Sequence, residues 1–354
     1  MAISTSRKSR KPTINDVARM SGVAKVTVSR VINDSPLVTA ETRRKVTAAM
    51  EKLNYAPDPQ ARGLASKRSF LLGLVYDNPN ALYVSDIQKG ILRVCRQAGY
   101  ELIMHPSDMT NPKLNNEISQ FVSRARIDGL ILLSPISQID SLARRLKRDH
   151  VQYVRISPKK IDANARIVIS NDKHGAELMT EYLVSLGHRN IGFVSGPESN
   201  LSAQQKSEGF RETMLKHGLP VPDSRVAQGD NTFDSGVQAG QTLLRGKDKP
   251  TAIFASNDDM ALGVMKTAAL QDISVPEQLS VAGFDDSTIA TVVWPDLTTV
   301  RQPVQHMGES AASKLLAQLV NKGVDTARSI DTETEPELVV RNSTRSLSRE
   351  GEHE

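Results

Sequence analysis

Lys25 and Val26 open a short run, Lys25 to Asn33, that mixes cations, hydroxyls and apolar side chains. A lysine here can reach the ring acceptors of guanine or a phosphate, or it can stay a solvated surface cation. Valine offers apolar contact alone, for instance to a thymine methyl. Base reading of this kind needs a rigid element that fits a major groove, and the flanking residues supply one. Thr13-x-x-Asp16 is a helix start, with a hydroxyl N-cap and an acid at the third helical position. Ile14, Val17 and Ala18 give the i, i+3, i+4 stripe of a buried face. Ser21-Gly22-Val23 breaks that helix, because Gly22 accepts a backbone geometry that strains other residues. A second helix follows at once, with Val28, Val31 and Ile32 turned inward. Two short helices joined by a Gly-containing turn form a helix-turn-helix, in which the first turns of the second helix face base edges.

A third helix is expected after Pro36, capped by Thr39, with Val46, Met50 and Leu53 buried and Arg43, Arg44 and Lys45 outward. Residues 1–68 hold 14 Lys/Arg and 5 Asp/Glu, a formal +9, and the rest of the chain carries 31 and 35, a formal −4. Such an excess suits a polyanion and makes binding salt-dependent. Pro57-Asp58-Pro59 stops the third helix. Gln60 to Ser66 can form a further short helix, and Gly63 lowers its intrinsic propensity, so folding coupled to binding fits it.

From Phe70 onward, short apolar runs alternate with amphipathic helical stretches. LLGLVY (71–76), ELIMHP, DGLILLSP, IGFVSGP (191–197), TAIFASND (251–258) and LSVAGFDD (279–286) read as strands. The alternation predicts right-handed βαβ units, parallel sheets and ligands held beyond the carboxyl ends of the strands. About ten such units exceed one six-stranded sheet, so two lobes with a cleft are expected.

The spacing V-A-x-x-x-G-V-x-x-x-T-V-S-R-V-x-N over Val17 to Asn33 resembles the LacI/GalR family of bacterial transcription regulators. The likeness continues through T-x-x-K-V-x-x-A-M-x-x-L-N-Y-x-P from Thr42 to Pro57 and A-R-G-L-A from Ala61 to Ala65. SLGHRNIGFVSGP, Gly209-Phe210, PTAIFASNDDMALGV, VPEQLSVAGFDD and PDLTTVRQP extend it over about residues 13 to 345. The resemblance implies a double-stranded operator as partner, with DNA contacts from Thr13, Lys25, Val26, Thr27, Ser29, Arg30, Asn33, Tyr55, Ala61 and Leu64. Lys25 and Val26 take the variable specificity positions, and Leu64 the apolar wedge of the minor groove, with a contact between the two hinge helices as the alternative or additional role. Ala24 departs from the usual Ser and forgoes a cap. The resemblance also implies a small-molecule effector, most simply a sugar, with Asp258 of SNDD accepting its hydroxyls. Lys206, where the family usually has Arg, loses the bidentate fork, so a sugar acid stays open as well. Tyr83, Asp77, Asn78, Asn231 and Phe233 are further cleft candidates, each with a cap or surface role as the alternative. The chain of this family crosses between lobes three times, here expected near 166–170, 297–301 and 329–332.

The expected architecture is α/β. It comprises a basic arm (1–11), a helix-turn-helix domain (12–56), a hinge helix (57–68), a two-lobed periplasmic-binding-protein-like core (69–345) and an unstructured tail (346–354). The tail lacks the leucine-rich helix of tetrameric members, so a homodimer is expected. No Walker loop, G-x-G-x-x-G, H-E-x-x-H or G-x-S-x-G occurs, which argues against an enzyme, and no cofactor or metal is expected. The histidines are scattered, and His188 in LGHRN reads as structural. One cysteine, Cys95, excludes an internal disulfide. With no apolar signal segment and no membrane-length run, a cytoplasmic, nucleoid-associated regulator, most simply a repressor, is expected. A solute-binding protein for transport shares such a core but lacks a basic head.

Overall fold

The computed structural model describes residues 12–32, 35, 37–55, 68–319 and 323–347. Asn33, Ala61, Leu64 and most of the expected hinge, arm and tail lie outside the described residues. The chain falls into two compact units that part after Phe70.

The first unit holds α1 (Ile14–Ser21), α2 (Lys25–Ile32) and α3 (Ala40–Lys52). Thr13 starts α1: its backbone N–H and its hydroxyl both donate to Asp16, at 2.8 and 2.6 Å. Gly22 ends it at φ 68°, with its N–H on the Ala18 carbonyl. Thr39 caps α3 by accepting from the Thr42 N–H. Val17, Val28 and Val46 are fully buried at the centre, and Met50, Leu53 and Tyr55 pack around them. At the start of α2 the Ala24 carbonyl accepts from the N–H groups of Thr27 and Val28, but its methyl caps nothing. Ala24→Ser therefore stabilises the unit by about 1 kcal/mol. Amide exchange in α2 of the full chain should slow about fivefold for that gain; unchanged exchange would show that another group already meets these donors.

In the second unit, the first lobe is built on a five-stranded sheet of order β2-β1-β3-β4-β5. Its strands are β1 (Leu71–Tyr76), β2 (Glu101–Pro106), β3 (Gly129–Leu132), β4 (Gln152–Ser157) and β5 (Ile167–Ile169). The second lobe has β6 (Ile191–Ser195), β7 (Val226–Gln228), β8 (Ala252–Ala255) and β9 (Ser280–Ala282) in the order β7-β6-β8-β9. Every pairing in these two sheets is parallel. β1, β3 and β8 read as continuous apolar runs because both of their faces are buried, whereas β2 is only half-buried and β4 carries Arg155. A small antiparallel pair, β10 (Thr299–Arg301) and β11 (Glu337–Val339), packs beside the second lobe.

The chain leaves the first lobe after β5 and enters the helix Asp172–Ser185 of the second. It returns after β10 through Gln302 into the helix Val304–Leu319, which packs on the helix Ala81–Ala98. It crosses back near Thr332–Thr334, where the Ile169 N–H donates to the Thr332 carbonyl at 2.6 Å and the Ile169 carbonyl accepts from the Thr334 N–H at 2.9 Å. Each crossing falls within a few residues of its expected place. Ser346 and Leu347, expected in the unstructured tail, instead donate to the Leu186 carbonyl. They follow a segment that His188 pins.

His188 is buried, with Nδ1 2.9 Å from the Thr251 hydroxyl and Nε2 at 3.1 Å from Ser280 and 3.2 Å from the Arg345 carbonyl. That carbonyl can only accept, so Nε2 carries a proton. Burial holds its pKa below the ordinary 6.5. As pH drops through 6.5 the unfolded chain takes up a proton that the folded ring refuses, so stability falls. His188→Gln removes this part of the acid sensitivity; a urea-midpoint profile from pH 7 to 5 equally steep in both proteins would contradict it.

Candidate functional site

In the first unit, α2 presents Lys25, Val26 and Arg30 to solvent, with Val26 57% exposed. A single exposed valine is ordinary on a protein surface, and what marks this one is its place in the first turn of the second helix, where a helix-turn-helix meets base edges. Thr27, Ser29, Thr13 and Tyr55 are half-buried on the same small unit.

The second site is the cleft between the lobes. Three helices, Ala81–Ala98, Leu201–Lys216 and Asp258–Leu270, begin at its walls. Asn80, Asn200 and Asn257 cap them by accepting backbone N–H groups, at 2.8–3.0 Å. All three asparagines line the cleft, as do Asn78, Tyr83, Asn231, Ser134, Ser157 and Ser256. Lys206 is its cation and Asp172 and Asp285 are its acids. The space is narrow, with about 60 Å³ open to a water-sized sphere.

Lys206, 6% exposed, is already engaged. Its Nζ donates to the Ser256 carbonyl at 2.9 Å, lies 3.7 Å from Asp285 Oδ1 and sits 3.8 Å from the Phe284 ring centroid. Burial pushes the Asp285 carboxyl up to about 6, against the pull of Lys206. Burial and the carboxylates of Asp172 and Asp285 raise the Tyr83 phenol well above its ordinary value. Ser134, Ser157 and Ser256 each carry a buried hydroxyl with no hydrogen-bond partner among the described residues. Asn231 holds a left-handed φ of 69°, and its carbonyl accepts from the Asn257 side chain at 2.9 Å.

Three of the expected cleft residues sit elsewhere. Asp258 is fully buried beneath the cleft floor and does not line it. Its Oδ1 accepts from the Thr299 hydroxyl at 2.6 Å, and its Oδ2 from the Ser287 N–H at 2.7 Å and hydroxyl at 3.0 Å. Gly283 crosses so close that a Cβ there would stand 2.4 Å from Asp258 Oδ1. Burial, aided by Asp285, pushes the Asp258 carboxyl up to about 8. Asp77 accepts the Met109 N–H at 2.8 Å and ties down the loop after β2. Phe233 lies at the outer start of the helix Phe233–Leu243, with Lys266 over its ring at 5.3 Å.

Asp285, Asp172, Ser134, Ser157 and Gln302 line the cleft without having been singled out. The signal for Asp285 was present, since GFDD ends the β9 run with an acid as SNDD ends β8. Sequence order alone does not say which acid clears the strand end. No His/Cys/Asp/Glu group suited to a metal occurs among the described residues. Among them, too, no helix is long and apolar enough to cross a membrane.

An outward-facing helix-turn-helix and a two-lobed cleft rich in hydrogen-bonding groups define a DNA-binding protein with a ligand-binding core. Comparison with known proteins gives the family. The profile described as bacterial regulatory proteins, lacI family, matches residues 13–58, and that of a periplasmic binding protein-like domain matches 180–344. Catabolite control protein A of Priestia megaterium is 34% identical over 319 residues, 88% of this chain and 93% of that protein. The lac repressor dimer bound to operator and the anti-inducer ONPF superposes with a TM-score of 0.74 at 28% identity, over 95% of this chain and 100% of that one. A transcriptional regulator CelR–cellobiose complex superposes with a TM-score of 0.68 at 28% identity, over 94% and 99%. The chain belongs to the LacI family and is a ligand-responsive, DNA-binding transcriptional regulator.

Proposed function

We propose that the protein represses a carbohydrate-utilisation operon as a cytoplasmic homodimer, each head reading half of a near-palindromic operator, with an uncharged sugar in the cleft as effector. Residues 57–68, with Ala61 and Leu64, would form the hinge that enters the minor groove, and no catalytic step is part of this reading. The observation that carries the effector class is the charge of the cleft. Its one lysine is paired with Asp285 and a backbone carbonyl, while Asp172 adds a second acid. An anion entering here meets two carboxylates and a lysine already in use. Serine hydroxyls without a partner among the described residues, and an Asp285 carboxylate that only Lys206 engages among them, suit the donors and acceptors of a neutral polyol. Cellobiose, held by one structural neighbour, belongs to that class. A transport solute-binding protein shares the core, but a basic helix-turn-helix head weighs against that role.

Calorimetry on the full chain with D-ribose, D-glucose and cellobiose against D-glucuronate and glucose 6-phosphate tests the class. At least one neutral sugar should bind at least about tenfold tighter than either anion, a margin of about 1.4 kcal/mol. A uronate or sugar phosphate that binds best overturns the reading.

A further inference from the structure

Asp172 does more than line the cleft. It is the first residue of the helix Asp172–Ser185, immediately after the first crossing. Asn171 before it turns the corner in the left-handed region, φ 54°, which asparagine tolerates better than most residues. That turn aims the Asp172 carboxylate back at the crossing instead of out into solvent, and the side chain is only 2% exposed.

Three donors from three segments converge on it. Its Oδ1 accepts from the Ser170 hydroxyl at 2.5 Å and from Gln302 Nε2 at 2.8 Å. Its Oδ2 accepts a short hydrogen bond from the Ser202 hydroxyl. Ser170 belongs to the first crossing, Gln302 to the second, and Ser202 to the first turn of the helix that carries Lys206. Ser170, Ser202 and Gln302 also line the cleft. One carboxylate therefore fixes the first and second crossings against the helix that faces the ligand. If the lobes rotate, Ser170 and Gln302 must move relative to Ser202, and these hydrogen bonds register the change.

We propose that Asp172 is the positioning residue that couples the ligand site to the interlobe crossings, so that a ligand touching Ser202 or Lys206 alters the geometry of both crossings through this carboxylate. The proposal rests on the cleft being the effector site. It names a discrete element that ligand and lobe angle both bias, which a coupling between sites requires.

Hydrogen exchange on the full chain tests it. Without ligand, Asp172→Asn, whose amide nitrogen cannot accept, should speed exchange at least about tenfold in three separated segments, 167–173, 201–206 and 299–303. Asp172→Glu, which keeps the carboxylate, should recover part of the protection. Acceleration confined to the neighbourhood of residue 172, or spread evenly through both lobes with a lower Tm, makes Asp172 a local packing residue and overturns the proposal. With saturating cellobiose, the unsubstituted chain should gain protection in all three segments, and the Asn variant at 201–206 alone. Protection of all three in the Asn variant also overturns it. Asp285→Asn separates the two readings: it should weaken cellobiose binding and leave ligand-free exchange unchanged. If cellobiose binds this variant as well as the unsubstituted chain, the cleft reading fails, while the ligand-free comparison still decides the role of Asp172.

Discussion

A chain shortened to residues 69–354 loses sequence-specific DNA binding, by at least about 1000-fold in affinity for a selected operator. It keeps its effector affinity within about twofold, because the cleft is built wholly from the second compact unit. Charge makes the loss severe. The removed segment carries +9 and what remains carries −4, so the core repels phosphate instead of holding it weakly. In the intact chain the same excess makes affinity fall steeply between about 50 and 200 mM salt. The outward Val26 on α2 adds apolar base contact that does not depend on salt. Binding by the shortened chain within tenfold of the full one would place the DNA site in the core. A flat salt profile of the intact chain would remove phosphate neutralisation from the explanation.

The head was legible because its signals are local. Thr13 and Asp16 bond to each other three residues apart, and Gly22 takes the left-handed turn its position calls for. Six of the nine strands in the two parallel sheets were legible for a related reason, since they hold apolar runs, whereas β4 is interrupted by Arg155 and β5 and β7 are three residues long, too short for a run to stand out. The cleft was legible only in part. Asp258 and Asp285 both end apolar runs, and the partners that separate their roles lie far along the chain. Thr299 is 41 residues from Asp258 and Ser287 is 29, and these hydroxyls, with the Ser287 N–H, occupy the Asp258 oxygens. Asp172 shows the same limit. Locally it is an acid at a helix start, and its link to Gln302 spans 130 residues. Periodicity locates the end of a strand, but which oxygen faces a cleft is decided by the packing of segments that periodicity does not join.

Asp285→Asn is expected to weaken effector binding by about 10- to 150-fold, the range of one hydrogen bond from a ligand hydroxyl to a charged acceptor at about 1.5–3 kcal/mol. Among the described residues Lys206 is the donor that Asp285 meets, so the loss to the fold is confined to that buried ammonium, which keeps the Ser256 carbonyl and the Phe284 ring, and Tm should fall less than in Asp258→Ala. Asp258→Ala should do the opposite. It strands the buried Thr299 hydroxyl and the partly buried Ser287 N–H and costs on the order of 3 kcal/mol of stability, with affinity in the surviving folded protein within a few-fold. The pH profile separates the two acids further. The Asp285 carboxyl titrates near 6, and the ligand's donors need its anion. Affinity should therefore drop up to about tenfold for each unit below pH 6. That drop should vanish in Asp285→Asn, which carries no titrating proton at this position. Asp258, pushed up to about 8, binds a proton in the folded chain that the unfolded chain releases above about 4. It therefore contributes stability that declines as pH rises from 4 through 8, a slope that Asp258→Ala removes. Calorimetry from pH 5 to 8, paired with thermal unfolding of both variants, distinguishes the roles. If Asp258→Ala abolishes effector binding at a Tm close to that of the unsubstituted chain while Asp285→Asn binds normally, the carboxylate that meets the ligand is Asp258, and the cleft floor must open to expose it.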